Sequence, residues 1–218
     1  AQPKNTQRPE LGMTQRILTR LGRMHQVTSL RHRGFRLLWM ATLLSSTARW
    51  ADLVVVGWLT LELTESPLMV GIVAGSKMAG YIVAPFMGVA ADRMDRRQLL
   101  IIAALVNWAV SLIMLLLLLF GWLTLGHIIG LAVVSSLTWA LDNPTRQAFI
   151  PDLVDREDLT NAIALNAVAT ELTVVIGPAL GGMLIPTLGM GGAYGLIAGI
   201  YLVDVAVLFL LTGAKQAA

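Results

Sequence analysis

The chain has 218 residues, 56% of them hydrophobic and only 13% charged, with mean hydropathy +0.71. Soluble domains run nearer a quarter charged, so a disordered or nucleic-acid-binding protein is excluded despite the net charge of +3. Cysteine is absent, which removes disulfides, thiolate metal sites and cysteine nucleophiles, and the three histidines (His25, His32, His127) are too scattered to suggest a metal centre.

Residues 1–35 form a basic amino-terminal segment without the apolar core of a secretory signal. Met13, Ile17, Leu21 and Met24 recur at helical spacing beside Arg16, Arg20 and Arg23. That pattern fits an amphipathic helix on an anionic membrane face, or equally a solvated helix with a few apolar residues.

Six apolar stretches follow, at about 36–62, 67–91, 98–121, 126–147, 160–186 and 192–213, with a short tail at 214–218. Each approaches the ~20 residues that cross a bilayer. The predicted fold class is therefore all-α: a polytopic membrane bundle of six transmembrane helices, with the lipid bilayer as its first partner. Fourteen of the 16 Lys and Arg residues fall in the amino-terminal segment, the second–third connection, the fourth–fifth connection and the tail. The other two, Arg49 and Lys77, lie inside predicted spans, and the remaining connections carry none. This alternation predicts both termini in the cytoplasm. The three outer connections are very short, which makes successive helices antiparallel neighbours. The inner connection from Thr145 to Leu159 is expected to be the long cytoplasmic linker.

Gly71/Gly75, Gly177/Gly181 and Gly195/Gly199 have the small-xxx-small spacing that lets helices approach closely. Charges inside hydrocarbon are costly and normally face a partner or a watery cavity. Asp52 and Lys77 each lie ten residues from the outer end of their spans, ~15 Å deep at ~1.5 Å per residue, so an Asp52–Lys77 pair is expected. Arg49, three residues before Asp52, shares its helix face. Glu171 and Asp204 fall near the same depth. A structural salt-bridge network and a proton or substrate site both account for this level. For Asp204 alone, a hydrogen bond to a neighbouring hydroxyl such as Tyr201 is the simpler expectation.

The second–third connection reads Gly88-Val89-Ala90-Ala91-Asp92-Arg93-Met94-Asp95-Arg96-Arg97. It resembles the signature loop of the major facilitator superfamily, Gly-x-x-x-Asp-Arg-x-Gly-Arg-Arg, with Asp95 where glycine is usual. Asp142-Asn143-Pro144-Thr145-Arg146-Gln147 and the residues to Asn166 resemble the same region of the enterobactin-exporter-like branch. Gly177-Pro178-Ala179-Leu180-Gly181-Gly182 resembles the end of the helix-five motif of proton-coupled exporters, although Thr173 and Ala164 stand where the full motif has glycines. That branch often has an arginine near Val174; its absence here suggests that Arg49 takes over the charge and faces Glu171.

The resemblance covers about residues 31–213 and implies an alternating-access secondary transporter: a proton-coupled exporter of small amphipathic molecules of siderophore or drug type. It implies Arg49, Asp52, Lys77, Asn143 and Glu171 for the substrate or proton pathway. Gly88, Asp92, Arg93, Arg96, Arg97, Asp142 and Arg146 would form a cytoplasmic gate, and Gly177, Pro178, Gly181 and Gly182 the helix-five motif. No cofactor, metal, catalytic residue or nucleic-acid partner is expected, since no zinc-protease, nucleophile-elbow or nucleotide-loop motif occurs. The fold implied has twelve spans in two halves. The chain is thus expected to be the amino-terminal six-helix half, completed by a second half from the same gene or another copy, in the cell inner (plasma) membrane. An uptake permease of the same fold, and a non-transporting scaffold or half-transporter needing a partner, are the alternatives.

Overall fold

A mostly apolar sequence, with Arg33, Arg36 and Glu62 near its ends and Arg49 and Asp52 at its middle, makes the first helix long. The computed structural model describes residues 28–82 and 95–211; there, a 3-10 turn at Thr28–Arg31 leads into α1, Arg33–Thr64. This helix begins three residues before the predicted span. The expected amphipathic pattern at Met13–Met24 lies outside the described residues. At the far end Glu65 takes a left-handed conformation (φ 51°) and its N–H bonds the Leu61 carbonyl at 2.8 Å, closing the helix. Pro67 then opens α2, Pro67–Ser76, at the position where its missing N–H costs nothing.

The α2 helix loosens at Lys77: Met78 N–H bonds the Gly75 carbonyl and Tyr81 N–H bonds that of Met78, three residues back each time. Helix resumes to Ile82. The third helix, α3, Arg96–Leu119, is capped by Asp95, whose carboxylate accepts the Arg97 N–H at 2.8 Å. It ends in a Schellman turn. Trp122 N–H returns to Leu117, Gly121 N–H to Leu118, and Gly121 supplies the positive φ of 69°. Thr124 caps α4, Leu125–Leu153.

Two boundaries differ from the sequence expectation. The helix α4 continues to Leu153 through Pro144 and Pro151, so the supposed long linker shrinks to about 154–158. Both prolines stand inside the helix, and the Thr145 hydroxyl bonds the Leu141 carbonyl at 2.7 Å. The expected outer connection from Thr187 to Gly191 is present as a tight corner at Gly189. Helix α5, Leu159–Leu210, has a single non-helical residue, Gly189, at φ 68°, ψ 177°. Ala162 and Leu208 belong to one apolar cluster, whereas Leu184 and Ala193 belong to another. The two limbs of α5, 159–188 and 190–210, therefore run back along each other.

Each of the six predicted stretches is mainly helical in its described part, with turns at Lys77–Met78 and 120–121, and every regular element among the described residues is a helix. Among the described residues three helices (α3, α4 and α5) are long and apolar enough to cross a membrane, and Pro67–Ile82 is a shorter apolar helix. Large apolar side chains such as Leu68, Ile82, Leu119, Val175 and Leu210 point outward, and Phe120 and Trp122 lie 5.5 Å apart at one end. An apolar exterior with aromatics at its rim suits lipid rather than water.

Two apolar clusters hold the bundle. One joins Val55 and Leu59 of α1 to Met114, Ile128, Leu184 and Tyr194. The other joins Phe35 and Leu38 to Leu100, Phe149, Ala162 and Leu208. The helices α1 and α5 meet where glycine permits. A Cβ on Gly177 would stand 3.0 Å from the Thr47 carbonyl oxygen, and one on Gly181 2.7 Å from that of Ala51. The other two glycine pairs do not act this way: Cβ atoms at Gly71, Gly75, Gly195 and Gly199 would meet nothing within 4 Å.

Candidate functional site

Between the two apolar clusters lies a polar layer to which every long helix contributes. Its centre is a cavity of about 50 Å³, space for a few waters. Thr42, Ser45 and Arg49 come from α1, Asn107 from α3, Asp142 and Arg146 from α4, and Asn166, Tyr201 and Asp204 from the limbs of α5. A second, more apolar cavity of about 130 Å³ adjoins it, walled by Trp50, Leu53, Met78, Tyr81 and Trp139. Arg49, Ser135 and Trp139 line both.

Arg49 projects between the cavities with its guanidinium carbon 4.8 Å from the centre of the Trp139 ring and 5.6 Å from that of Trp50. Such ring contacts offset part of the cost of desolvating the cation. Tyr81 extends the aromatic wall, its ring 4.2 Å from that of Trp139. The expected Arg49–Glu171 pairing does not form: Glu171 is exposed on the outside of α5, while Arg49 points inward to the rings. The reason is rotational, since Thr173 and Gly177 occupy the face of α5 that packs inward, leaving Glu171 on the opposite side.

Asp52 and Lys77 do form an ion pair across α1 and α2, largely shielded from solvent. The loosened turn of α2 falls at this lysine. Nearby, Gly80 brings α2 so close to α4 that a Cβ would collide with the Ser136 carbonyl, and Gly80 N–H donates to the Ser136 hydroxyl at 3.0 Å.

Arg146 is buried and donates to Asp142 at 2.8 Å, one turn earlier on α4. Its other end reaches Thr42 at 3.4 Å and stands 3.8 Å from Asp204. Asp204 is fully buried and neither of its oxygens accepts a hydrogen bond, so the expected bond to Tyr201 is not made. Asn143 faces the polar cavity and accepts from Gln147 at 3.1 Å.

Of the expected gate residues, Gly88, Asp92 and Arg93 lie outside the described residues. Arg96 binds the Asp152 carboxylate and the Ala148 carbonyl, both at 2.6 Å, tying α3 to α4. Arg97 donates to the Phe209 carbonyl at 2.8 Å, tying α3 to the end of α5. A further tie joins Arg31 and His32 to Asp158, each at 2.9 Å. These two hydrogen bonds, from His32 first and Arg31 second, hold the Asp158 carboxyl below its ordinary range against the opposing effect of burial. Of the helix-five motif, Gly177 and Gly181 form the seat for α1, and Gly182 faces open space.

Sequence reading passed over Asn107 and Trp139. The Asn107 side-chain Oδ1 accepts from the hydroxyls of both Ser135 and Thr138 at 3.0 Å, knitting α3 to α4 within the polar layer. A lone amide inside an apolar run was the available signal. Trp139, three residues before Asp142, had none beyond its helical spacing.

Residues 25–218 match the family described as "Transmembrane secretion effector". The chain is 26% identical over 138 residues to the Staphyloferrin A transporter of Staphylococcus aureus, covering 62% of this chain and 35% of that protein. It is 28% identical over 163 residues to the uncharacterized MFS-type transporter y4rN of Sinorhizobium fredii, covering 75% of this chain and 37% of that one. The matched region thus spans little more than a third of either relative. With an apolar helical bundle and a family match across nearly its whole length, the chain belongs to the transmembrane secretion effector family of major facilitator transporters.

Proposed function

We propose that this chain is the amino-terminal six-helix half of a secondary transporter of the plasma membrane, both of its ends cytoplasmic, which exports small amphipathic molecules against proton entry. The observation that carries the reading is the polar layer at mid-bundle, where Arg49, Asp142, Arg146 and Asp204 surround a cavity between two apolar clusters. Buried charge lining a cavity in an apolar bundle marks a solute or ion path rather than a lipid-facing scaffold. Family membership supports transport, and the named relative supports a siderophore-type solute. Protons would be carried by Asp142 or Asp204. Asp52 and Lys77 would hold α1 to α2 as the bundle rocks, and the 88–97 connection with Arg146 would gate the cytoplasmic mouth. A second six-helix half would cover the open side of the cavity.

The test is solute uptake into inside-out vesicles carrying the protein from the full reading frame. Hoechst 33342 and a ferric-siderophore mixture serve as probes, with an acid-inside gradient imposed. Accumulation that nigericin abolishes supports proton-coupled export. Accumulation only in right-side-out vesicles would indicate an uptake permease, and none in either orientation would reject transport.

A further inference from the structure

Arg49 differs from the other cations packed into this bundle. Lys77 has Asp52, Arg146 has Asp142 with Asp204 beyond, Arg96 has Asp152 and Arg31 has Asp158. Arg49 lies against the Trp50 and Trp139 rings and forms no ion pair among the described residues. A ring contact uses the π-face attraction and none of the five N–H donors, so the donors face the cavities with no acceptor among the described residues. A partly buried guanidinium in this state is short of a planar, two-oxygen partner, the geometry in which arginine binds most strongly.

The cavity beside it has matching chemistry. Trp50, Leu53, Met78, Tyr81 and Trp139 make an apolar wall, Ser135 and Ser136 offer hydroxyls, and no carboxylate among the described residues lines it. Lys77 also lines it. The volume of about 130 Å³ is close to the ~150 Å³ of a cavity that accepts a single benzene ring. The two acids of the adjoining polar cavity, Asp142 and Asp204, both face Arg146 instead.

We propose that Arg49, held between the Trp50 and Trp139 rings, is the binding point for an organic carboxylate whose flat apolar body rests in the aromatic cavity against Tyr81 and Met78. The proposal rests on the transporter reading and narrows its solute class from amphipathic molecules in general to amphipathic anions. Among the titratable groups, Tyr201, Asp142 and Tyr81 from neighbouring helices, and the cation Arg146, act electrostatically on Arg49. None of these forms an ion pair or hydrogen bond with it.

The test uses three probes of one shape and different charge: phenylacetate, phenylacetamide and phenethylammonium. Binding is measured by calorimetry on the purified full-reading-frame protein. Phenylacetate is expected to bind about tenfold or more tighter than the amide, in line with the gain from a charge-assisted hydrogen bond, and the ammonium more weakly still. Arg49→Gln should bring the anion and the amide within about twofold, and Trp139→Leu should weaken both. Should Arg49→Gln fail to fold, the wild-type order of the three probes decides alone. Equal binding, a preference for the cation, or an anion preference that survives Arg49→Gln would overturn the proposal. So would failure of phenylacetate to bind, which would mean that a carboxylate from another part of the transporter already occupies Arg49. Phenylacetate binding without movement of any probe across vesicles would reject transport and keep the site. Vectorial movement of phenethylammonium without phenylacetate binding would keep transport and reject the site.

Discussion

Arg146 donates to Asp142 at 2.8 Å and stands 3.8 Å from Asp204, so one guanidinium answers two carboxylates on different helices. Breaking a buried pair by removing its shared cation leaves charges without compensation, at a cost of about 3–5 kcal/mol. Arg146→Met should therefore lower the melting midpoint in detergent sharply. Asp204→Asn removes an acid that accepts no hydrogen bond and leaves the Arg146–Asp142 pair whole, so it should stay within about 1 kcal/mol of the parent. A loss as large as that of Arg146→Met would make the 3.8 Å contact the principal tie.

Gly181 and Gly182 are neighbours with opposite surroundings. A Cβ at Gly181 meets the Ala51 carbonyl at 2.7 Å, and one at Gly182 meets nothing within 4 Å. Gly181→Val should cost about 1–3 kcal/mol through forced separation of α1 from α5. Gly182→Ala should be neutral or gain up to about 1 kcal/mol from helix propensity. Thermal unfolding of both variants in the same detergent separates the two cases.

Asp95 stands where the family pattern has glycine, and the structure gives it work as the cap of α3. Asp95→Ala should cost about 1 kcal/mol, whereas Asp95→Gly should cost only a few tenths. Comparable losses for the two would mean that the carboxylate matters beyond the cap.

Asp158 is held below its ordinary carboxyl range by the hydrogen bonds from His32 and Arg31. A depressed folded value means stability that is present above the unfolded value of 3.8 and lost as pH falls through the lower folded one. The stability difference between the parent and Asp158→Asn should thus be full near neutrality and shrink progressively below pH about 4. A difference that does not change with pH would show that the bonds do not depend on charge.

Asp52 and Lys77 form a shielded pair whose removal in halves and as a whole should differ. Each of Asp52→Leu and Lys77→Met alone should cost about 3–5 kcal/mol, and the double replacement markedly less than their sum. Retained transport in the double variant would assign the pair a structural role, and lost transport with an intact fold would assign it to the pathway.

The helices were legible because lipid demands long apolar runs, and Asp52–Lys77 followed from counting rises along antiparallel neighbours. The tightness of the Thr187–Gly191 connection, a corner at Gly189, was not, because one positive-φ glycine among many glycines leaves no mark in hydropathy. Nor was the continuation of α4 beyond 147, since the charged, proline-containing stretch that follows has the composition of a loop. Glu171 misled because depth along a helix is easily counted, whereas rotation about its axis depends on packing that only Gly177 and Gly181 reveal. Arg49 was singled out by its charge, but its aromatic setting needed Tyr81 and Trp139, 32 and 90 positions away, brought together.

Joined by one residue at Gly189, the limbs of α5 have almost no slack where they meet. Relative movement between them must therefore grow with distance from that corner, as in a pair of tongs. The greatest travel falls at 159 and 210, where Ser29 holds Asp158 and Arg97 holds Phe209. The polar layer, partway along the arms, would feel a smaller displacement, so a wide opening at one mouth reaches Asp204 and Arg146 as a fine adjustment.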